Sequence, residues 1–372
     1  MTIQSNQPEN PALPLRRQLV SRALGAFTPV LVMLLLGVYG NAIAKVETNN
    51  TEVSLFLSYC SNTSVAARTA CGHESSDDYV TAWAVCLNTL NSEKRSECFQ
   101  EAREERIEAR EECGDLFFAR EEVCKLIGQD RYDPQYDPDD FVDPESIGFD
   151  DGEVAPNPYF PLVAGMRWVY EAEGEVIIVE VLEETMEVDG VNCVVVRDVV
   201  YETETDEDDE EGMKSVIEAS HDLPGVPVED TIDWYAQDEE GNVWYFGEIS
   251  LNFEDGVVTD IEGSWKTGED GARPGIVMPA VPKTGDVYRQ EWLLGDAEDM
   301  AEVLSTSAEP ELSEDNASDC DPGCLQTLEW APLQANSEEY KYYRAGVGMV
   351  QEADPEDPEN TVELVEFSGG VE

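Results

Sequence analysis

The sequence predicts an α+β protein: an N-terminal, disulfide-stapled α-helical hairpin, then an antiparallel β meander curled into a strongly curved sheet or an open barrel. Three observations carry that prediction. Six cysteines are spaced symmetrically about residue 92. The run from Glu93 to Ile127 is rich in Glu, Arg and Ala, with only Gly114 and no Pro to interrupt it. Beyond Pro158 the texture changes to short apolar runs separated by turn signals such as Asp189-Gly190, Glu240-Gly241-Asn242 and Asp255-Gly256.

Length and charge bound the rest. The chain has 372 residues, room for about two domains. It holds 82 acidic and 22 basic residues, a formal charge of −60, yet 41% of it is hydrophobic, including seven Trp and 14 Tyr, so it can build a packed core. The charge argues against nucleic acid as a partner, because a phosphate backbone is repelled over most of such a surface. With two histidines, His73 and His221, chemistry that needs clustered imidazoles is excluded.

Residues 1–44 read as a signal peptide. Arg16, Arg17 and Arg22 lead into an apolar stretch from Ala23 to Gly40, followed by the small-x-small triplet Ala42-Ile43-Ala44. Cleavage after Ala44 removes three Arg and Glu9, net +2, and leaves −60 − 2 = −62. Contact with a membrane is then confined to export, and the destination is periplasmic or extracellular. An uncleaved anchor is the alternative, since the stretch is just long enough to span a bilayer. Only seven of the 22 bases are Lys. An acidic, Lys-poor exported chain suits a saline, halophilic habitat, because molar salt shortens the Debye length to about 3 Å and screens self-repulsion. A surface that gathers divalent cations is the other reading.

Residues 45–127 form the Cys-rich hairpin. There are nine cysteines in the chain and no C-x-x-C, so zinc-ribbon, thioredoxin-type and c-type haem readings fall away and disulfides are the default. The first six are separated by 11, 15, 12, 15 and 11 residues, so the sums 60 + 124, 71 + 113 and 86 + 98 all equal 184. Antiparallel arms folded about residue 92 bring Cys60 level with Cys124, Cys71 with Cys113 and Cys86 with Cys98. Asn91 or Ser92 is the expected N-cap of the second arm. Gly72 and Ser75-Ser76-Asp77 predict a break that divides the first arm into two short helices. Arg103, Arg106 and Arg110 form a stripe expected to be a solvated face. Farther on, Cys193 and Cys324 border strand-like runs and are paired, leaving Cys320 free to reach a second chain. The rival is a local Cys320–Cys324 bridge with Cys193 buried and free.

Residues 128–157 read as an acidic linker draped over a domain, with Tyr132-Asp133-Pro134 repeated as Tyr136-Asp137-Pro138. Residues 158–372 form the β-domain, whose short connections require antiparallel neighbours. Ala297 to Leu304 alone carries a short helical period. Residues 202–212 are a solvated acidic loop, too repulsive to pack.

Several stretches of the β-domain resemble an uncharacterised family of exported, β-rich bacterial proteins: Asn157-Pro158-Tyr159-Phe160-Pro161-Leu162 with Trp168-Val169-Tyr170-Glu171, then Asp233-Trp234-Tyr235-Ala236, Gly241-Asn242-Val243-Trp244-Tyr245-Phe246, Pro274-Gly275-Ile276-Val277-Met278-Pro279 and Tyr288-Arg289-Gln290-Glu291. The resemblance covers roughly residues 130–370. It implies a β-rich exported domain and supplies no activity. The acidic insertion and Cys320 depart from its pattern.

Trp234, Tyr235, Trp244, Tyr245 and Phe246 sit on two strands joined by a turn, and alternation sends Trp234 and Tyr235 to opposite faces. Core packing accounts for such a block; the sharper expectation is a concave cup that holds an apolar or carbohydrate ligand. Asp238, Glu240 and Asn242, with Asp233 nearby, place oxygens where calcium could be held, and equally suit a polar turn. No other cofactor is expected. Ser220-His221-Asp222 cannot form a relay, because consecutive extended residues point apart. No nucleophile elbow, zinc-protease helix or phosphate loop is present. The leading reading of function is an exported, non-enzymatic binding or surface-interaction protein. The alternative is a secreted hydrolase using acidic residues.

Overall fold

The computed structural model describes residues 58–149, 152–172, 174–202, 227–254, 256–334, 336–357 and 360–369. The signal segment 1–44, the acidic loop beyond Glu202 and Ser220-His221-Asp222 lie outside these residues. Among the described residues no helix is long and apolar enough to cross a membrane.

Helices α1 (Tyr59–Leu87) and α2 (Ser92–Ile127) form the hairpin. Asn91 caps α2, its side chain accepting from the N–H groups of Glu93 and Lys94 at 2.9 and 3.0 Å. The nested pairing is present: Cys60–Cys124, Cys71–Cys113 and Cys86–Cys98, with Cα separations of 5.6, 5.8 and 5.6 Å. The expected break in the first arm is absent, and α1 is continuous. Four of its hydroxyls are satisfied within the helix: Thr63, Ser64, Thr69 and Ser76 each donate to the carbonyl four residues back, whereas the buried Ser75 hydroxyl finds no partner among the described residues. Three bridges to α2 offset the weak helix propensity of Gly72 and its neighbours. The arginine stripe is not uniformly solvated either, since Arg106 lies over the Tyr79 ring at 4.5 Å.

Residues 128–149 and 152–157 form an ordered belt. Two of its three Asp-Pro pairs start a 3₁₀ turn, at Pro138–Asp140 and Pro144–Ser146, with Asp137 and Asp143 as caps and Pro in the first turn. Val142 N–H donates to the Gln237 carbonyl, and Tyr136 and Phe141 pack their rings on Phe246 and Trp244.

The β-domain is one 15-stranded antiparallel sheet. Its strands are β1 (Arg167–Ala172), β2 (Glu175–Val188), β3 (Val191–Glu202), β4 (Pro227–Gln237), β5 (Val243–Glu254), β6 (Val257–Asp260), β7 (Trp265–Lys266), β8 (Arg273–Met278), β9 (Val287–Arg289), β10 (Glu291–Trp292), β11 (Met300–Ala308), β12 (Cys324–Trp330), β13 (Glu339–Arg344), β14 (Gly348–Ala353) and β15 (Thr361–Ser368). The path runs β10-β8-β5-β4-β3-β2-β1-β15-β14-β13-β12-β11-β9. Its two ends, β10 and β9, adjoin in sequence across Gln290, so the sheet curls into a nearly closed barrel. Gly275 permits the closure: a Cβ there would lie 2.2 Å from the Gln290 carbonyl oxygen. Ala297 to Leu304 is not helical. Met300, Ala301 and Val303 are fully buried between β9 and β12, and that burial overrides the local period.

Alternation divides the side chains. The inner face carries the main core, with Trp168, Tyr170, Val181, Val194, Val196, Tyr245, Val303, Leu325, Tyr343, Val350 and Leu364. The outer face carries two smaller clusters, one of them built on Cys193, Trp234, Ala236 and Phe246 under the belt. Cys193 is therefore on the wrong face to reach Cys324, and the expected Cys193–Cys324 pair is not formed. Cys320 and Cys324 bridge locally across 5.0 Å, and Cys193 is buried and free. That bridge also engages the Cys320 thiol that the sequence left for a second chain.

Candidate functional site

The five-ring block is split by the sheet. Trp234, Trp244 and Phe246 face outward, covered by Tyr136 and Phe141. Tyr235 and Tyr245 face inward and stack at 4.5 Å. The rings thus serve two packing layers instead of lining one cup. A bulge at Gly247 resets the register, so that Glu248 stands opposite Asp233 while Tyr245 stands opposite Tyr235. Only glycine fits there, with φ of 133° and a Cβ position 2.4 Å from the Trp265 carbonyl oxygen.

The four oxygen-bearing residues considered for calcium are not convergent. Asp238 takes up N–H donors on both oxygens: Oδ1 accepts from the Glu240 and Asn242 backbones, and Oδ2 from Asn242 Nδ2 and Trp244 Nε1, at 2.8–3.0 Å. Asn242 Oδ1 accepts from Ala280 N–H, and Asp233 lies inside the barrel. Among the described residues no group of three or more His, Cys, Asp or Glu side chains is disposed to hold a metal ion.

The barrel interior contains a band of acids that sequence reading could not separate from the chain's other carboxylates. The Tyr245 hydroxyl donates to Asp233 Oδ1 at 2.5 Å. Burial raises the carboxyl pKa values of Asp233, Glu248 and Glu291, and pushes Asp198 up to about 8, with the Asp233 charge adding to the effect. On the opposite wall Lys341 reaches Glu352 at 3.3 Å and Glu329 and Glu339 at 3.6 Å. Burial opposes the ammonium charge, but Glu352 and Glu329 outweigh it and raise the Lys341 pKa. Glu329 also accepts from Tyr343, Thr327 and Gln290 at 2.8–3.0 Å.

A second feature lies where the base of the hairpin meets the barrel rim. A cleft of about 610 Å³ opens between the start of α1, the end of α2, the segment Asp130–Asp133 and the rim strands β8 to β10. Its floor is a buried ion pair: the Arg120 guanidinium grips Glu298 with Nε at 2.9 and 3.0 Å and one terminal nitrogen at 2.6 Å. Their side chains are 8% and 1% exposed. Aromatic walls stand on either side. Arg131 stacks on Tyr59 at 3.9 Å, and Arg289 sits over Trp292 at 4.1 Å and Tyr132 at 5.4 Å. Tyr132 and Trp292 meet edge-on at 5.7 Å, and the Tyr132 hydroxyl donates to the Pro274 carbonyl. Arg273 pairs with Asp133 at 2.9 Å. Burial lowers the Arg289 pKa, and the Glu298 charge partly restores it. None of these residues stood out in the sequence as a site, although Arg289 lies in the Tyr288-Arg289-Gln290-Glu291 stretch that carried the family resemblance.

No protein-family model, curated protein or solved structure matches the chain. What fold and disulfides define is an α+β protein with a helical hairpin, a nearly closed barrel and four intrachain bridges, at home in an oxidising, non-cytoplasmic compartment.

Proposed function

We propose that the protein is an exported, non-enzymatic binding protein, released to the periplasm or the extracellular space after loss of residues 1–44, and that its ligand site is the cleft between hairpin and barrel. The observation that carries this reading is the cleft itself: about 610 Å³, within the range of small-molecule sites, with Tyr59, Tyr132 and Trp292 as walls and a few polar groups set among them. Such walls suit an apolar or carbohydrate body. A screen of apolar and glycan ligands by thermal shift tests it. Saturable stabilisation without turnover, lost on Trp292→Ala, is the expected result, with about 2.7 kcal/mol gained at a hundredfold excess over Kd. Binding that Trp292→Ala leaves intact would remove the cleft from consideration.

A second reading has its own observation. Asp233 and Glu248 face one another across β4 and β5; burial raises both carboxyl pKa values and the Asp233 charge raises Glu248 further, so Asp233 ionises first, as a base, while Glu248 keeps its proton, as an acid. Turnover of a glycoside abolished by Asp233→Asn would favour it. Absence of turnover across such a panel leaves binding as the function.

A further inference from the structure

The cleft does not share the charge of the molecule that surrounds it. The whole chain carries −60. The cleft is lined by Arg120, Arg131, Arg273 and Arg289 against Asp130, Asp133 and Glu298, which is 4 − 3 = +1. Two of the cations are neutralised in place, Arg120 by Glu298 and Arg273 by Asp133. Among the described residues no carboxylate lies within 4 Å of Arg131 or Arg289. Arg289 is only 6% exposed, its Nε has no hydrogen-bond partner, and one terminal nitrogen meets nothing better than the Met300 thioether at 3.7 Å. Glu298 lends its field to Arg289, but both its oxygens are bonded to Arg120.

A buried guanidinium without a counter-charge is costly, and ring faces compensate it only in part. A fold that needed only packing here would be served by an apolar side chain of similar volume. The arrangement is explained if the missing partner comes from solution. Resting on the reading of the cleft as the ligand site, we propose that it recognises an organic oxyanion: a carboxylate or phosphate monoester carried on an apolar or sugar-like body. Arg289 at the inner wall and Arg131 at the rim bind the anion, and Tyr59, Tyr132 and Trp292 flank the body. Guanidinium forks match the paired oxygens of both head groups. The −60 field does not forbid this, because salt at molar strength confines electrostatics to about 3 Å, leaving contact pairs in force and removing long-range repulsion.

The test is calorimetric titration of the oxidised protein with 2-naphthoate, 2-naphthyl phosphate and the neutral 2-naphthamide. At least one anion is expected to bind tenfold or more tightly than the amide, and the stronger of the two identifies the head group. Arg131→Gln and Arg289→Gln are each expected to weaken that anion at least tenfold more than they weaken the amide. Arg131 is exposed, so its variant keeps the test valid even if Arg289→Gln impairs folding. Equal affinity for amide and anions would overturn the anion proposal while leaving the cleft as a binding site. Anion binding insensitive to both variants, or absent altogether, would overturn it as well. The cleft reading itself stands or falls separately, on the Trp292→Ala result.

Discussion

The hairpin and the barrel solve the problem of burial in opposite ways. Along the hairpin the buried side chains are few and small: Ser64, Ser75, Cys86, Ala102, Cys113, Val123 and Cys124, with Arg120 at its base. Large apolar residues such as Val80, Trp83, Leu87 and Phe118 stay exposed, Leu90 to 98%. So thin a seam excludes too little water to hold two long helices together, and three disulfides act in its place. The barrel has a continuous aromatic and aliphatic interior and tolerates, within it, a band of carboxylates no small core could carry. Covalent staples permit a thin element, whereas a large core permits costly polar groups. Function is expected where the two meet, since the cleft draws walls from both.

Reduction is the strongest way to break this comparison. The closed loops span separations of 64, 42 and 12 residues. Each contributes on the order of 3 kcal/mol, the longer ones somewhat more. Dithiothreitol is therefore expected to abolish most of the helical circular dichroism at 222 nm while the fluorescence of the six barrel tryptophans stays native. Coincident loss of both signals would show that the barrel depends on the hairpin.

The next largest effect concerns the joint. Arg120→Ala strands Glu298 in a site where it is 1% exposed, and is expected to cost about 3–5 kcal/mol. Arg120→Met with Glu298→Leu removes both charges and is expected to recover most of that loss in a denaturant melt. A double variant as unstable as the single one would show that the pair stabilises beyond its own desolvation.

What sequence could disclose followed the reach of the interaction. The nested disulfides were legible because both arms rise equally per residue, so equal spacing must meet, and residue type alone narrowed the cap to Asn91 or Ser92, of which Asn91 serves. The strands and turns were legible from alternation and Asp-Gly pairs; Asp189 and Gly190 take the left-handed φ values, 47° and 85°, that such a turn demands. The fate of Cys193 required knowing which face of β3 is outward. The cleft arginines come from helix, belt and rim, some 170 residues apart between Arg120 and Arg289, and no local pattern joins them. Among 82 acids, the inner band could be distinguished only by burial.

That burial has a pH signature, of several degrees in melting temperature. Asp198, Asp233, Glu248 and Glu291 hold their protons more tightly folded than unfolded. Their contribution is complete below the unfolded carboxyl range near pH 4 and is lost as pH rises through the folded values, about 8 for Asp198. The melting temperature is thus expected to rise from pH 8 to pH 5. Relief of the −60 surface repulsion acts in the same direction, but molar NaCl screens it and leaves the buried groups untouched. A slope that vanishes in 1 M NaCl would assign the effect to the surface; a slope that persists, and flattens on Asp198→Asn, assigns it to the barrel interior.

The smallest effect belongs to the turn between β4 and β5, where a calcium site and a polar turn make opposite predictions. Asp238 accepts from two backbone N–H groups on one oxygen and from Asn242 and Trp244 on the other. Asp238→Asn keeps the first pair of bonds but turns an amide NH₂ toward two donors, so part of the network is lost whichever way the amide flips. The expected cost is about 1 kcal/mol. Because the carboxylate acts here through N–H groups, that cost should be the same in millimolar Ca²⁺ and in EDTA. A wild-type melting temperature that climbs with Ca²⁺, in a protein whose Asp238→Asn variant does not respond, would show that the ion displaces these donors and that the turn holds calcium after all.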